Sequence, residues 1–154
     1  VQVRSALEMR DAVMRECEDA DAVVMAAAVA DWRPVAASDQ KIKKDGSDTW
    51  TVELTKNPDI IACIPSERLV KVGFAAESQD LMENAKSPHA SKGLDLIAAN
   101  DITADDSGFA SDTNRVTLLD REGGVDSLPL MSKYDVGHTI LDRVGQLFKD
   151  SASG

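Results

Sequence analysis

Apolar residues along this chain follow a helical period in some segments and form short continuous runs in others, a pattern typical of an α/β domain. Ser5 and Glu8 have the spacing of a capping box, in which each side chain accepts a hydrogen bond from the other residue's backbone N–H. A helix is therefore predicted to begin at Ser5. The residues spaced to face a sheet from this helix are Leu7, Val13, Met14 and Cys17.

The run Ala22–Ala26 is continuously apolar and is predicted to be a short strand, buried on both faces as in a parallel sheet. From Ala27 to Asp48 the periodicity disappears, which predicts one long loop. Loops of this length are uncommon in compact domains unless they carry function, so a functional loop is expected here.

The segment Thr49–Leu54 alternates between apolar and polar residues and predicts a second strand. Asn57 directly before Pro58 is a helix-start signal, because asparagine is a good N-cap and proline fits the first helical position. A short helix is therefore predicted from Pro58 to about Ile64.

A βαβ unit is predicted next, with strands at Leu69–Ala75 and Leu94–Ala99 and a helix at Ser78–Ser91 between them. A right-handed crossover brings the ends of the two strands, 75–78 and 100–103, to the same carboxyl edge of the sheet. Open α/β sheets bind ligands at that edge. A ligand site is therefore expected beside these strand ends.

The last third of the chain predicts a β-hairpin and a closing helix. Arg115–Asp120 and Val125–Leu128 are strand-like and are joined across Gly123 and Gly124. Ser132 is placed to cap the final helix, whose apolar face would carry Val136, Ile140, Val144 and Leu147. We expect one domain over residues 1–150 and a polar tail at 151–154.

Composition limits the classes of function. The 154 residues are 43% hydrophobic and 29% charged, which suits a single folded domain. A formal charge of -10 disfavours binding to nucleic acid or to an anionic membrane, since both require a basic face. The dense basic run Lys41–Lys44 is the obvious place for an anion, either as a triphosphate site or as an ordinary solvated face.

The chain has features of a cytoplasmic protein. Its apolar runs are too short to span a membrane. Cys17 and Cys63 lie far apart in apolar patterns, which predicts reduced core thiols. Val1 resembles the second half of a strand, so we expect further residues before it.

Small and acidic residues after the first strand could form a nucleotide site. Ala26–Ala28 would let the backbone approach a ligand closely, and Asp31 is placed to hold Mg²⁺ against phosphate oxygens. The alternative is that the alanines only pack and Asp31 caps a turn. Asn100 and Asp101, at the end of a buried strand, are similarly either site residues or turn formers.

Seven segments, in this order and with this spacing, resemble the bacterial phosphopantothenoylcysteine synthetases over nearly the whole chain. They are AAAVADWRP, KIKK, LTKNPDI, VGFAAES, KGLDLIAANDI, FASDTNRVTLLD and LPLMSK. The resemblance implies a three-layer, Rossmann-like α/β fold with a mainly parallel sheet and an antiparallel hairpin extension, without the family's N-terminal βαβ elements. It further implies a cytoplasmic enzyme of coenzyme A biosynthesis, whose ligase domain is a homodimer.

The reaction that the resemblance implies is CTP-dependent. The carboxylate of 4'-phosphopantothenate would form an acyl cytidylate with release of pyrophosphate, and the amine of cysteine would then capture it. Lys41 resembles the catalytic lysine of the first step. Asp31 resembles the residue beside the nucleotide and Mg²⁺, and Ala27 and Ala28 resemble the small residues that line the intermediate's site.

The remaining nucleotide contacts are also implied by the resemblance. The family's helix start that contacts cytosine corresponds to Pro58, Asp59, Ile60 and Ile61, and Phe74 corresponds to an aromatic residue against the nucleotide. Lys92 matches one of two family lysines that would hold the triphosphate. The family flavin, FMN, would belong to a fused decarboxylase domain and not to this chain.

Two departures from the family pattern affect the expected activity. The family's Ser-Asn-His-Ser-Ser-Gly loop, with the asparagine that holds the acyl cytidylate, has no counterpart here, and Pro88 replaces the second lysine. A catalytically impaired nucleotide-binding module is therefore the main alternative, and this chain alone is expected to be inactive. A dinucleotide-binding dehydrogenase is disfavoured because no GxGxxG motif follows a strand.

Overall fold

A computed structural model of the chain describes residues 1–36, 38, 40, 41, 46, 48–65, 69–77, 92–101 and 111–151. In chain order the elements are α1 (Ala6–Glu16), β1 (Ala22–Met25), β2 (Trp32–Pro34), β3 (Leu54–Lys56), α2 (Ile60–Cys63), β4 (Val70–Glu77), β5 (Leu96–Asp101), β6 (Thr113–Asn114), β7 (Val116–Asp120), β8 (Val125–Ser127), β9 (Met131–Ser132) and α3 (Lys133–Ser151). The predicted helix at Ser78–Ser91 and the tail after Ser151 lie outside the described residues.

Five strands form the main sheet in the order β1-β4-β5-β7-β8. β1, β4 and β5 are parallel, whereas β7 and β8 continue the sheet in antiparallel fashion. Glu77 pairs with Asp101, so β4 and β5 end at the same carboxyl edge. The α/β class and the adjacent parallel strands of the predicted βαβ unit are therefore confirmed.

Helices cover both faces of the sheet and give three layers. On one face, α3 packs Val136, Ile140 and Val144 against β4, β5 and β7, as its apolar spacing predicted. On the other face, the buried side chains of α2 pack against β5 and β7, with Val13 and Met14 of α1 beside them. Each helix is placed by one apolar stripe, because burying that stripe is the main source of its stability.

The predicted caps of α1 and α3 are present. Ser5 accepts a hydrogen bond from the Glu8 backbone while the Glu8 carboxylate accepts from the Ser5 backbone, which completes the capping box of α1. Ser132 accepts from the Asp135 backbone at 3.1 Å and donates to the Asp135 carboxylate at 2.6 Å, at the start of α3. These pairs satisfy backbone donors that a helix start leaves open.

Several predicted boundaries are wrong. β1 is an edge strand of the described sheet, so Val24 is 41% exposed and the strand is not buried on both faces. The predicted loop contains β2, and β2 pairs with β3 in a two-stranded antiparallel ribbon. In the predicted strand Thr49–Leu54 only Leu54 is β-structure, because pairing with β2 extends to Lys56 instead.

The hairpin at Val116–Ser127 forms as predicted and belongs to the main sheet. The Asp120 carboxylate accepts hydrogen bonds from the Glu122 and Gly124 backbones at 2.9 and 2.8 Å, and Gly123 takes a φ of 93° that favours glycine. Both cysteines are free, but Cys63 is exposed rather than part of a core. Across the described residues every helix is too short or too polar to span a bilayer.

Candidate functional site

A cavity of about 860 Å³ opens at the carboxyl edge of β1 and β4, beside the start of α2. This is the edge at which the parallel strands predicted a ligand site. Its volume lies in the range of small-molecule sites. The lining residues are Met25, Ala27, Ala28, Val29, Ala30, Asp31, Lys56, Asn57, Pro58, Asp59, Ile60, Ile61, Gly73, Phe74, Ala75, Lys92, Leu94 and Ile97.

One side of the cavity consists of the small residues that follow β1. Ala27, Ala28 and Ala30 are exposed, and their methyl side chains leave the backbone accessible to a ligand. A sheet that ends in such residues can bring its main chain close to a phosphate or a sugar. The predicted positions Ala27 and Ala28 therefore lie where a ligand could contact them.

Asn57 ties this alanine segment to the start of α2. Its side-chain amide donates to the Ala30 carbonyl at 2.8 Å, and its backbone N–H donates to the Asp31 carbonyl at 2.7 Å. The Arg33 guanidinium donates to the Asn57 side-chain oxygen at 3.1 Å and to the Lys56 carbonyl. Asn57 thus joins two parts of the cavity wall, the alanine segment and the segment before α2.

These contacts explain why the predicted helix start is wrong. Asn57 is not the N-cap, because its side chain is already bonded to Ala30 and Arg33. Asp59 takes that role, accepting from the Ala62 backbone at 3.3 Å, and α2 begins at Ile60 rather than at Pro58. Pro58 instead lines the cavity ahead of the helix.

Asp59 and Lys92 form an ion pair in the cavity, with the Lys92 Nζ 2.9 Å from Asp59 Oδ2. Their side chains are 45% and 39% exposed, so solvent screens the pair and it adds little to stability. An anionic ligand could compete with Asp59 for Lys92. The pair supplies one positive and one negative group at the same position in the site.

Asp31 offers an exposed carboxylate to the cavity. Within the described ranges there is no group of three or more histidine, cysteine or acidic side chains that could hold a metal ion. Mg²⁺ differs from most metals in needing only one or two protein carboxylates when phosphates and water complete its shell. Asp31 therefore fits a magnesium ion that arrives with a triphosphate.

The floor of the cavity is formed by β4 and by Leu94 and Ile97. A Cβ added at Gly73 would lie 2.9 Å from Leu94 Cδ1, so a side chain at this position would require Leu94 to move. Leu94 fills this space with apolar side-chain atoms, so this part of the cavity wall is apolar. Phe74, the predicted aromatic contact, lines the cavity, and its half-buried side chain packs against the core cluster on the α3 face of the sheet.

Among the predicted site residues, Lys41 lies apart from the cavity. It is exposed and does not line the cavity, and Lys43 and Lys44 lie outside the described residues. The other predicted nucleotide-binding residues, from Ala27 to Lys92, all line it. Their convergence follows from the strand order, in which β1 lies beside β4. The sequence predicted a site at the carboxyl edge but not this neighbour, and the position of Lys41 depends on a long connection.

Other residues behave differently from their predictions. Lys56, Asn57 and Gly73 line the cavity without having been predicted to do so, and only the glycine in an apolar strand gave a signal of close approach. Asn100 accepts a hydrogen bond from the Asn114 side chain at 2.8 Å and does not line the cavity. It therefore acts as a structural residue at the carboxyl edge.

Comparison with known proteins adds evidence that is independent of this geometry. Residues 1–147 match the DNA/pantothenate metabolism flavoprotein C-terminal domain. The coenzyme A biosynthesis bifunctional protein CoaBC of Bacillus subtilis is 42% identical over 154 residues, covering 98% of this chain and 37% of that protein. The protein of the same name from Vibrio cholerae is 46% identical over 145 residues, covering 92% of this chain and 36% of its own length.

Solved structures agree with these sequence relationships. The crystal structure of the C-terminal domain of CoaBC superposes with a TM-score of 0.77 at 30% identity, covering 97% of this chain and 66% of that chain. The chain spans little more than a third of the curated relatives named above. With the match over residues 1–147, this chain belongs to the family of DNA/pantothenate metabolism flavoprotein C-terminal domains.

Proposed function

We propose that this chain takes part in the CTP-dependent ligation of 4'-phosphopantothenate with cysteine, which gives 4'-phosphopantothenoylcysteine. The observation that carries the proposal is that Ala27, Ala28, Asp31, Phe74 and Lys92 line the same cavity as the start of α2. The relatives named as coenzyme A biosynthesis proteins support the same assignment. A nucleotide bound there would lie against small residues on one side and α2 on the other.

The side chains of the cavity suit the parts of a nucleoside triphosphate. The alanine segment would let the backbone contact the phosphates, and Lys92 would exchange Asp59 for a phosphate oxygen. Asp31 would hold Mg²⁺, which supplies charge neutralisation between the phosphates when bound. Phe74 and the start of α2 would contact the sugar and base.

The proposed reaction has two group transfers. A carboxylate oxygen of 4'-phosphopantothenate attacks the α-phosphorus of CTP, and the bond from that phosphorus to the bridging oxygen breaks, so that pyrophosphate leaves. The amine of cysteine then attacks the acyl carbon, loses a proton and displaces CMP. Lys41 would offset the negative charge that builds on phosphorus in the first transfer, where a preorganised cation contributes about 3 kcal/mol.

Replacement of Lys41 by glutamine tests the first transfer. In the full-length protein we expect Lys41→Gln to lower the rate of pyrophosphate release at least about a hundredfold, because the cation that stabilises the transition state is lost. Pyrophosphate is measured with CTP and 4'-phosphopantothenate present and cysteine absent.

Lys149→Gln is the matched control for this change. Lys149 is an exposed lysine on α3, far along the chain from the cavity residues, and its replacement removes the same charge. Pyrophosphate release that is equal in the Lys41 and Lys149 variants would remove Lys41 from the mechanism.

A second candidate is a nucleotide-binding module without catalysis. It is favoured by one observation, that Lys41 is exposed and does not line the cavity. Calorimetry of the full-length protein with CTP distinguishes the two functions. Tight CTP binding without pyrophosphate release would support the binding module instead of the ligase.

The assembly around this chain is also a proposal. FMN would be bound by a fused phosphopantothenoylcysteine decarboxylase domain, in keeping with the word bifunctional in the names of the relatives. The ligase domain would form a homodimer in the cytoplasm. Size-exclusion chromatography with light scattering on the full-length protein, and on this chain alone, tests the dimer.

A further inference from the structure

Lys71, the second residue of β4, is the largest fully buried side chain among the described residues, with 0% exposure. Val70 and Val72 on either side of it pack on the α3 face of the sheet, so Lys71 lies on the opposite face, beneath α2. A buried ammonium is costly unless hydrogen bonds replace its water. Burial lowers the pKa of Lys71, although Asp95 acts against that change.

The Lys71 ammonium is held by backbone carbonyls from two separate segments. It donates to the Ile64 and Ile61 carbonyls, the latter at 3.4 Å, where α2 ends. It also donates to the Lys92 carbonyl at 3.4 Å, just before β5. The Asp95 carboxylate fixes the base of the side chain by accepting from the Lys71 backbone N–H at 2.9 Å.

Both tied segments carry a charged residue of the cavity. Asp59 caps α2 and Lys92 bears the ammonium that pairs with it. Because that pair is partly exposed and screened by solvent, it does not by itself fix the two backbones. A helix of one turn has little stability of its own, so α2 depends on its tertiary contacts.

We propose that Lys71 is a positioning residue of the cavity, because its buried ammonium holds α2 and the Lys92 backbone to β4 and so sets the places of Asp59 and Lys92. The side chain does not touch the cavity itself, since it is absent from the lining residues. Its effect on nucleotide binding rests on the proposed function, whereas its effect on α2 does not.

Lys71→Met in the full-length protein is the principal test. Methionine keeps most of the volume and removes the donors, and apolar replacements of buried charges are often well tolerated by the fold. Hydrogen–deuterium exchange of a peptide covering α2 should become about tenfold faster, since hydrogen bonds from a charged donor are lost. Exchange in β7 should not change.

Val72→Ala is the matched control. It truncates the neighbouring, fully buried side chain on the other face of β4 and destabilises the core without touching α2. Lys71→Gln is the second variant, which keeps a neutral N–H donor and should accelerate exchange in α2 less than methionine does. Equal exchange in α2 for wild type and Lys71→Met would overturn the proposal.

A double-mutant cycle separates positioning from general destabilisation. We expect Lys71→Met to weaken CTP binding about tenfold in the otherwise unchanged protein and clearly less in a Lys92→Met background, because part of its effect acts through Lys92. Additive losses would contradict positioning. If the wild-type protein does not bind CTP, the proposed function fails, and the exchange of α2 still decides the role of Lys71.

Discussion

At the scale of single residues, the buried Lys71 and the half-buried Cys17 affect each other's pKa. Burial lowers the pKa of Lys71 from its ordinary value of 10.5, and Asp95 and Cys17 raise it. Burial raises the pKa of the Cys17 thiol from 9.0, the Lys71 ammonium lowers it and Glu16 raises it. The two groups therefore affect stability in opposite directions as the solution becomes alkaline.

Stability should depend on pH through Lys71 with a defined sign. Between the lowered pKa of the folded state and 10.5 the unfolded chain binds more protons, so the free energy of unfolding contributed by Lys71 rises with pH. Urea unfolding from about pH 7 to about pH 10 should show wild type gaining stability relative to Lys71→Met.

Cys17 must be removed from this comparison. Its raised pKa makes the folded state bind more protons above pH 9.0, which lowers stability as pH rises. We therefore expect the gain to be clearest when both proteins also carry Cys17→Ala. A stability difference that falls with pH in that background would contradict a lowered pKa for Lys71.

The role of Lys71 was not predicted from the sequence, although its strand was. A lysine between Val70 and Val72 interrupts an otherwise apolar run, which is the only local sign that it is buried. Its acceptors within the described part of the chain are the backbone carbonyls of Ile61, Ile64 and Lys92. Every residue has a backbone carbonyl, so the residue types give no sign of this contact. Such a contact emerges only from the packed structure.

At the scale of elements, Asn57 shows how two segments distant in sequence are coupled. It joins the alanine segment to α2 through hydrogen bonds to Ala30 and Asp31, and its side-chain oxygen accepts a hydrogen bond from Arg33, the middle residue of β2. The shape of the cavity therefore depends on the hydrogen bonds of the Asn57 side-chain amide. Loss of the Asn57 side chain should therefore lower both the stability of the protein and its affinity for a ligand.

Asn57→Ala should lower the free energy of unfolding by about 1 kcal/mol, because the hydrogen bonds of the Asn57 side chain to the Ala30 carbonyl and the Arg33 guanidinium are lost. CTP affinity, measured by calorimetry on the full-length protein, should fall as the alanine segment loses its tie. Asn114→Ala is the control, since Asn114 bonds to Asn100 away from the cavity. Equal CTP affinities in the two variants would refute the coupling.

The elements with strong local signals were predicted well, and those defined by distant partners were not. α1 and α3 have caps and apolar stripes within their own sequences. β2 has three residues, one of them Pro34, and becomes a strand only by pairing with Leu54–Lys56. Strand pairing across a long connection leaves no periodic pattern in the sequence, so the sequence predicts a loop where β2 forms.

At the scale of the whole molecule, the site is assembled by topology. Parallel β1 and β4 bring their carboxyl ends together beside the start of α2, and residues from four parts of the chain line one cavity. That a ligand site would lie at this edge of the parallel strands could be expected from the order of elements. The position of Lys41 could not, because a long segment separates it from both flanking strands.

The hydrogen bond from Asn57 to Asp31 lies beside Trp32, which gives the protein an intrinsic fluorescence probe of ligand binding. Trp32 follows Asp31 directly and is 53% exposed, so its indole lies next to backbone that a bound ligand would contact. We expect CTP to change the tryptophan fluorescence of the full-length protein, and the change to persist in Trp50→Phe but disappear in Trp32→Phe. A response that survives Trp32→Phe would mean that the emission comes from another indole.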